Sequence, residues 1–317
     1  MTVLVSFIIP HKGRETMLAR TLQSIAAQDF DPAQVEVILV TQNEKLRPDT
    51  CPDPALLPVV TLHRPPSDTI SALRNHGARQ ARGEYLAFLD ADVQLSPNWI
   101  TAMLQSLQAD GNRVLVSAVQ QCAADAPPLE QLRTLMSNAA TDCNVRFLPG
   151  RNLFLRARTF ARVGGFPEHL VTCEDYYFTD QVHDLGDLYY TSAASYVHLG
   201  EDKEYREMFK KEIWRGQSNL QSIRGRRIPL SEWPSFLVPV WILLFALVTL
   251  LALVLGRGTV AVMALLLLLL PILLYSLRLK RLAGNRVGWW PILKFYLLYF
   301  PARIIGTYYG LWAVVRI

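Results

Sequence analysis

Two long apolar runs divide this 317-residue chain into a polar part and an apolar part. Residues 236–255 and 259–277 are almost free of charge, and each is long enough to cross about 30 Å of hydrocarbon as a helix. Only three residues separate the runs, which predicts a tight hairpin. Hydrophobic residues make up 51% of the chain, and the excess lies after residue 234. The sequence therefore predicts a globular domain over 1–228 and a membrane region over 229–317.

Basic residues flank the two apolar runs and predict their orientation. Because positively charged flanks stay in the cytoplasm, the globular domain is expected there, in a multi-pass protein of the cell (inner) membrane. The flanking residues are Arg224, Arg226 and Arg227 before the first run and Arg278, Lys280, Arg281 and Arg286 after the second. They carry much of the net charge of +5, so no nucleic-acid partner is expected.

The last apolar stretch, residues 289–315, is less uniform than the first two. It carries Lys294, Pro301 and Arg303, a pattern that favours a helix lying in the membrane interface. A third membrane span, tilted or starting near Ile304, is the alternative.

The first part of the chain has the pattern of an α/β fold. A β-branched run from Val3 to Ile9 predicts a strand, apolar residues at helical spacing predict a helix over 16–27, and a second strand follows over 35–40. A strand–helix–strand unit of this kind gives parallel strands. The loops that follow each strand therefore open on the same edge of the sheet, where α/β folds bind ligands.

A short apolar strand, Tyr85 to Leu89, ends abruptly in Asp90-Ala91-Asp92. Side chains alternate along an extended chain, so the two carboxylates are expected on one side. A hard divalent cation prefers carboxylate oxygens and often also binds substrate phosphates. The alternative is a strand that ends in a solvated aspartate turn.

The residues around this pair resemble those of the family 2 glycosyltransferases, and the similarity runs from about Val5 to about His198. It implies a GT-A fold with a mixed, mainly parallel sheet. It also implies an inverting transfer from a nucleotide sugar that depends on Mg²⁺ or Mn²⁺. The matching residues are Arg74, Asn75, Gly77, Ala78, Ala81, Gly83, Glu84 and Tyr85 before the acidic pair, and Pro97 and Trp99 after it.

A second group of motifs continues the resemblance, with Gly150-Arg151-Asn152 followed by Gly164 to Glu168. Glu174-Asp175 then opens a helix. In the resembled family the aspartate of this pair is the general base, which implies that role for Asp175, with Glu174 in support. A simple helix cap is the alternative, because aspartate is common at helix N-termini.

The resemblance also implies a binding role for several other residues. It assigns Asp90 and Asp92 to the metal, with His198 as a third ligand, and an imidazole favours Mn²⁺ over Mg²⁺. Arg74 is expected to meet the phosphates. The segment with Trp214 and Arg215 does not match the family's Gln-x-x-Arg-Trp motif, but the two residues are expected to meet a sugar and a pyrophosphate; the alternative is a helix that only packs against the sheet and the membrane. The first-strand loop is expected to hold the nucleoside through Pro10, Lys12, Arg14 and Glu15.

One segment departs from the family pattern. After the second strand the family has an acidic pair that reads the nucleobase, whereas this chain has Thr41-Gln42-Asn43. Gln42 can both donate and accept a hydrogen bond, so it is the expected reader, but the choice between a UDP-sugar and a GDP-sugar stays open. The alternative is an ordinary polar turn.

Together these features predict a membrane-bound glycosyltransferase of polysaccharide biosynthesis whose acceptor is a lipid-linked or other membrane-associated glycan. Two alternatives stay open. One is a non-catalytic family member that binds nucleotide sugar or assists a partner. The other is a nucleotidyltransferase, which should carry a glycine-rich, lysine-bearing loop after the first strand, and residues 11–14 are a poor version of it.

Overall fold

A computed structural model of the protein describes residues 2–123, 125–218 and 230–315. The chain divides into two compact units. The first unit comprises Met1–Ala123 and Ser137–Glu201, and the second comprises Ala124–Met136 and Asp202–Ile317. The predicted basic flank Arg224, Arg226 and Arg227 lies outside the described residues.

The described part of the first unit is a nine-stranded sheet in the order β3-β2-β1-β4-β8-β6-β9-β5, with β7 paired to β9. The predicted mixed sheet is confirmed, because the β1–β2, β2–β3, β1–β4 and β6–β9 pairs are parallel and the other pairs are antiparallel. The strands are β1 Val5–His11, β2 Val35–Thr41, β3 Val59–His63, β4 Tyr85–Leu89, β5 Val93–Leu95, β6 Arg113–Gln121, β7 Cys143–Val145, β8 Asn152–Arg156 and β9 Asp187–His198.

Helices cover the sheet and continue into the second unit. Those that begin in the first unit are α1 Glu15–Ala26, α2 Ile70–Gln80, α3 Trp99–Gln108, α5 Ala157–Val163 and α6 Glu174–His183. Those that begin in the second unit are α4 Pro128–Ser137, α7 Tyr205–Gly216, α8 Trp233–Val254, α9 Gly258–Ala283 and α10 Trp289–Val315.

Buried strands form the core of the first unit. Every residue of β1, β2 and β4 is buried, as expected for central strands that are covered on both faces. Because these three strands are parallel neighbours, their carboxyl ends meet at the same edge of the sheet. The loops that carry the predicted site residues follow directly from those ends.

The last strand of the first unit, β9, ends at His198. It is a continuous strand of twelve residues, Asp187–His198. It pairs with β5, a three-residue strand too short to produce a periodic signal. The charged segment after β9 forms α7, which begins at Tyr205 and ends at Gly216.

Two helices of the second unit are long and apolar enough to cross a membrane, judged over the described residues. These are α8 and α9, with mean hydropathies of 2.8 and 2.7 in their most apolar windows, of which only 11% and 22% is buried. The two helices pack together, and Trp241 Nε1 donates a hydrogen bond to the Leu267 carbonyl at 2.9 Å. Their bounds agree closely with the predicted hairpin.

Glycines bring α7 and α10 into backbone contact within the second unit. A Cβ at Gly306 would lie 2.2 Å from the Ile213 carbonyl oxygen, and a Cβ at Gly310 would lie 2.0 Å from that of Gln217. Gly216 faces Gly306 in the same contact. A small-xxx-small pair of this kind lets two helices approach closely, so this part of α10 is packed against protein.

Candidate active site

The acidic pair lies in a turn and not on a continuing strand. β4 ends at Leu89, and residues 90–92 turn the chain into β5. The expectation that strand alternation holds both carboxylates on one side is therefore wrong. Asp90 faces Arg74, whereas Asp92 faces Arg14 and His198, so the turn gives each acid its own set of partners.

Arg74 connects Asp90 to Glu174, which lies 100 residues after Arg74 in the chain. Its Nη2 lies 2.8 Å from Asp90 Oδ1, and its Nη1 lies 2.9 Å from Glu174 Oε1. The Gly150 carbonyl accepts a further bond from Nη2 at 3.2 Å. The side chain is only 1% exposed. The phosphate contact predicted for Arg74 stays a prediction, and the contacts that it makes here are with carboxylates and a carbonyl.

Burial changes the pKa values of the two acids that contact Arg74. Burial and then the neighbouring Asp175 raise the pKa of Glu174 to about 7, against the opposing effect of Arg74. Burial also raises the pKa of Asp90, Arg74 opposes this, and the charge of Asp92 raises it further. Arg74 is therefore the cation that makes this cluster of acids tolerable inside the protein.

Backbone amides orient the carboxylate of Asp175. The Gly150 N–H donates to Oδ2 at 3.1 Å, and the Tyr176 N–H donates to Oδ1 at 2.8 Å. A Cβ at Gly150 would lie 2.9 Å from Arg74 Nη2 and 3.2 Å from Asp175 Cβ, so the two side chains flank the same glycine. The structure thus brings Asp175 beside the arginine that holds Asp90.

Asn75, the neighbour of Arg74 on α2, fixes the double-glycine loop. Its Nδ2 donates to the Phe166 carbonyl and to Glu168 Oε1, both at 2.9 Å, and its Oδ1 accepts from the Phe166 N–H at 2.8 Å. Gly165 has a φ of 98°, and a Cβ there would lie 2.7 Å from Asn75 Oδ1. Arg74 and Asn75, which are neighbours on α2, therefore bind Gly150 and the double-glycine loop, the two segments that precede Asp175.

His198 meets Asp92 because β9 and β5 are antiparallel, with His198 opposite Val93. The Leu199 N–H donates to the Asp92 carbonyl at 2.8 Å. His198 Nε2 then lies 3.4 Å from Asp92 Oδ1, and Nδ1 lies 3.1 Å from Glu201 Oε2. Burial lowers the pKa of His198, but the bonds with Asp92 and Glu201 outweigh it, so the pKa is raised on balance.

The predicted metal ligands fit a divalent cation in their chemistry. No three His, Cys, Asp or Glu side chains among the described residues are arranged around one point as a complete metal site. Asp90, Asp92 and His198 nevertheless supply two carboxylates and an imidazole, a donor set that suits Mn²⁺. Beyond the effect of burial, the charge of Asp92 raises the pKa of Asp90, so the two carboxylates are close enough for one cation to stabilise both.

The residues predicted to hold the nucleoside divide into two groups. Arg14, at a left-handed φ of 45°, contacts Asp92 Oδ2 at 3.0 Å, so the first-strand loop reaches the acidic turn. Lys12 is exposed beside it, and Pro10 is buried at the end of β1. Their binding roles stay predictions.

Glu15 and Gln42 are bound to protein groups in this structure. Glu15 accepts bonds from Asn43 Nδ2, the Arg47 N–H and the Thr50 hydroxyl. The Gln42 amide nitrogen donates to the carbonyls of Pro65 and Asp68, both at 2.9 Å. Both residues order the loops after β1 and β2, and a base-reading role for Gln42 is not visible in these contacts.

Trp214 and Arg215 belong to α7 in the second unit. Trp214 is exposed, and Arg215 Nη1 contacts Glu212 Oε1 at 2.5 Å and Asp202 Oδ2 at 3.4 Å. Their predicted contacts with a sugar and a pyrophosphate stay predictions.

Sequence reasoning missed Glu201 and Gly200. Glu201 follows His198 by three residues, a spacing that could have indicated a partner for the imidazole. Gly200 lies against the acidic turn, where a Cβ would be 2.1 Å from Asp92 Oδ2 and 2.7 Å from Arg14 Nη1.

Gly200→Ala is therefore expected to displace the Asp92 carboxylate and to weaken binding of a divalent cation by the predicted metal ligands. A disturbed ligand environment typically costs about 10–100-fold in metal affinity. Titration of donor turnover with Mn²⁺ measures the effect. Gly111→Ala is the matched control, because a Cβ there would meet no atom within 4 Å. Equal metal dependence of the two variants would contradict the prediction.

Comparison with known proteins identifies the family of the sheet-forming part of the chain. A model of the family described as "Glycosyl transferase family 2" matches residues 6–158. These residues are a family 2 glycosyltransferase domain. The glycosyltransferase AglE of Haloferax volcanii is 23% identical over 249 residues, which cover 75% of this chain and 80% of AglE. The succinoglycan biosynthesis protein ExoM of Rhizobium meliloti is 31% identical over 117 residues, which cover 34% of this chain but only 36% of ExoM.

A solved structure shares the fold of this glycosyltransferase. It is the mannosyltransferase PcManGT from Pyrobaculum calidifontis in complex with GDP-Man and Mn²⁺, with a TM-score of 0.62 at 17% identity. The alignment covers 99% of this chain and 88% of the mannosyltransferase. The chain therefore has the expected GT-A fold, followed by two apolar helices. The family match over residues 6–158 identifies it as a transferase.

Proposed function

We propose that this glycosyltransferase is an inverting, metal-dependent enzyme that moves a sugar from a UDP- or GDP-sugar to a membrane-associated glycan or lipid-linked acceptor. One observation carries the proposal. Arg74, buried on α2, contacts Asp90 from the acidic turn and Glu174 beside Asp175. The acidic turn on the donor side and the start of α6, which carries Asp175, are thereby held together by one cation.

In the proposed reaction Asp175 accepts the proton of the acceptor hydroxyl while that oxygen attacks the anomeric carbon. The bond from this carbon to the diphosphate breaks on the opposite face, which inverts the configuration and releases a nucleoside diphosphate. The two backbone N–H groups on Asp175 keep its carboxylate in one orientation, as a general base requires.

Asp90, Asp92 and His198 would hold the cation, which when bound stabilises the charge of the leaving diphosphate. Arg14 lies against Asp92 at the same turn. It would have to leave Asp92 Oδ2, and its exposed guanidinium would then suit a phosphate oxygen.

The membrane part supports an acceptor that is bound to the membrane. α8 and α9 are apolar, mostly unburied and of spanning length. Basic residues from Arg278 to Arg286 lie in the last turns of α9 and just after its end. By the positive-inside rule these flanks lie in the cytoplasm, which is also where nucleotide sugars are made. The interfacial position of α10 is part of this proposal, and its Lys294 lies 4.5 Å from the ring of Tyr205.

The test is release of nucleoside diphosphate by the full-length protein in membranes. GDP-mannose with Mn²⁺ is the first donor to try, because the mannosyltransferase of similar fold was solved with both; UDP-sugars follow, each with Mg²⁺, Mn²⁺ or EDTA. Turnover should disappear with EDTA and in Asp92→Ala.

Each other outcome has a clear meaning. Undiminished turnover in EDTA would remove the metal-dependent mechanism. Release of pyrophosphate would identify a nucleotidyltransferase. Donor binding without turnover across the panel would identify a non-catalytic family member.

A further inference from the structure

We infer that Glu201 is a positioning residue that orients His198, so that Nε2 of the imidazole is the atom presented to the cation beside Asp92. The inference rests on the proposed function, because it concerns the same cation. It goes further by assigning a role to a buried acid that the reaction itself does not use.

The hydrogen-bond geometry supports this assignment. His198 Nδ1 lies 3.1 Å from Glu201 Oε2. An ionised carboxylate accepts hydrogen bonds and donates none, so Nδ1 must carry the hydrogen in this contact. In the neutral imidazole the lone pair is then on Nε2, which lies 3.4 Å from Asp92 Oδ1. Metal-binding histidines are commonly oriented by a carboxylate in this way.

Glu201 is itself held in place by neighbours in the first unit. Its side chain is 1% exposed. Gln120 Nε2 donates to Oε2 at 3.0 Å, and Arg151 Nη1 lies 3.4 Å from the same oxygen. Gln120 Oε1 in turn contacts Arg151 Nη1 and the Tyr196 hydroxyl. Because Arg151 and Gln120 hold the Glu201 carboxylate in place, this carboxylate can fix the orientation of the His198 imidazole.

The arrangement has a consequence for metal choice. Because imidazole nitrogen favours Mn²⁺ over Mg²⁺, a fixed Nε2 ligand should make the site select Mn²⁺. A carboxylate that only anchored the loop after β9 would have no effect on this selectivity.

Mn²⁺ binding to the full-length protein in detergent, without donor, tests the inference. Electron spin-echo measurements on bound Mn²⁺ should show coupling to a ¹⁴N nucleus in the wild type, and His198→Ala should remove it. Glu201→Ala should weaken Mn²⁺ binding by about 10–100-fold and Mg²⁺ binding by less. Glu201→Gln retains a carbonyl oxygen that can accept from Nδ1 and should recover most of the affinity. Glu204→Ala, a nearby exposed acid with no side-chain cap, should bind as the wild type does.

Wild-type affinity in Glu201→Ala would overturn the inference, as would bound Mn²⁺ without nitrogen coupling in the wild type. The nitrogen coupling is measured without any variant at position 201. It therefore remains a valid test if Glu201→Ala fails to fold. Donor turnover measured in parallel separates the two proposals. A wild type that turns over donor without the coupling overturns only the role of Glu201, and one with the coupling but no turnover overturns only the proposed function.

Discussion

Asp175→Asn is expected to lower turnover by about 10²–10⁴-fold, the usual contribution of a general base. The amide has the size of the carboxylate but cannot accept the proton of the acceptor hydroxyl. Binding of the nucleotide sugar should change little, because no donor-side residue is altered. Nucleoside diphosphate release under saturating donor and metal measures the effect.

The same substitution also removes one backbone hydrogen bond. Both carboxylate oxygens accept from N–H groups, and the amide nitrogen cannot, which costs about 1–3 kcal/mol of stability. Asp184→Asn, at the exposed far end of the same helix, controls for a general effect on α6. Turnover within a few-fold of the wild type in Asp175→Asn, at normal folding, would exclude Asp175 as the base.

Arg74→Ala is expected to destabilise the first unit by about 3–5 kcal/mol, the cost of leaving buried charges without their partner. Asp90 and Glu174 would both lose their cation, and the Gly150 carbonyl would lose a donor. Turnover should fall at the same time, because the acidic turn and the start of α6 are no longer joined. Amide hydrogen exchange over α2 and α6 measures the loss of protection.

Two further variants sharpen this test. Arg79→Ala removes an exposed arginine from the same helix and should leave exchange unchanged. Arg74→Met with Glu174→Gln removes one of the unpaired charges and should recover part of the protection without restoring turnover. Equal protection in Arg74→Ala and Arg79→Ala would show that the contacts of Arg74 contribute little.

Local sequence pattern was sufficient for the central elements of the fold. β4 has the predicted bounds, Tyr85–Leu89, and β2, predicted over 35–40, spans Val35–Thr41. In both cases the burial pattern follows directly from the order of apolar and polar residues. The match of residues 6–158 to the family model agrees with the resemblance that the motifs indicated.

The pairing of charges could not be read from the sequence in the same way. Arg74 has the residue type expected of a phosphate ligand, but it contacts Glu174 because the fold brings the start of α6 against α2. The orientation of Asp92 depends on β5, whose three residues carry no periodicity. Residue type shows what a side chain can bind, and only the sheet topology shows which partner it meets.

The position of Arg74 and Asn75 also constrains the order in which the protein can mature during synthesis. Apart from Asp90, the partners described above for these two residues lie between residues 150 and 174, and the imidazole beside Asp92 arrives only with residue 198. A nascent chain that has been synthesised as far as residue 158, where the family match ends, still lacks Glu174 and Asp175 at the start of α6. The centre of the enzyme is therefore completed only after translation has passed the part of the chain by which the family is recognised.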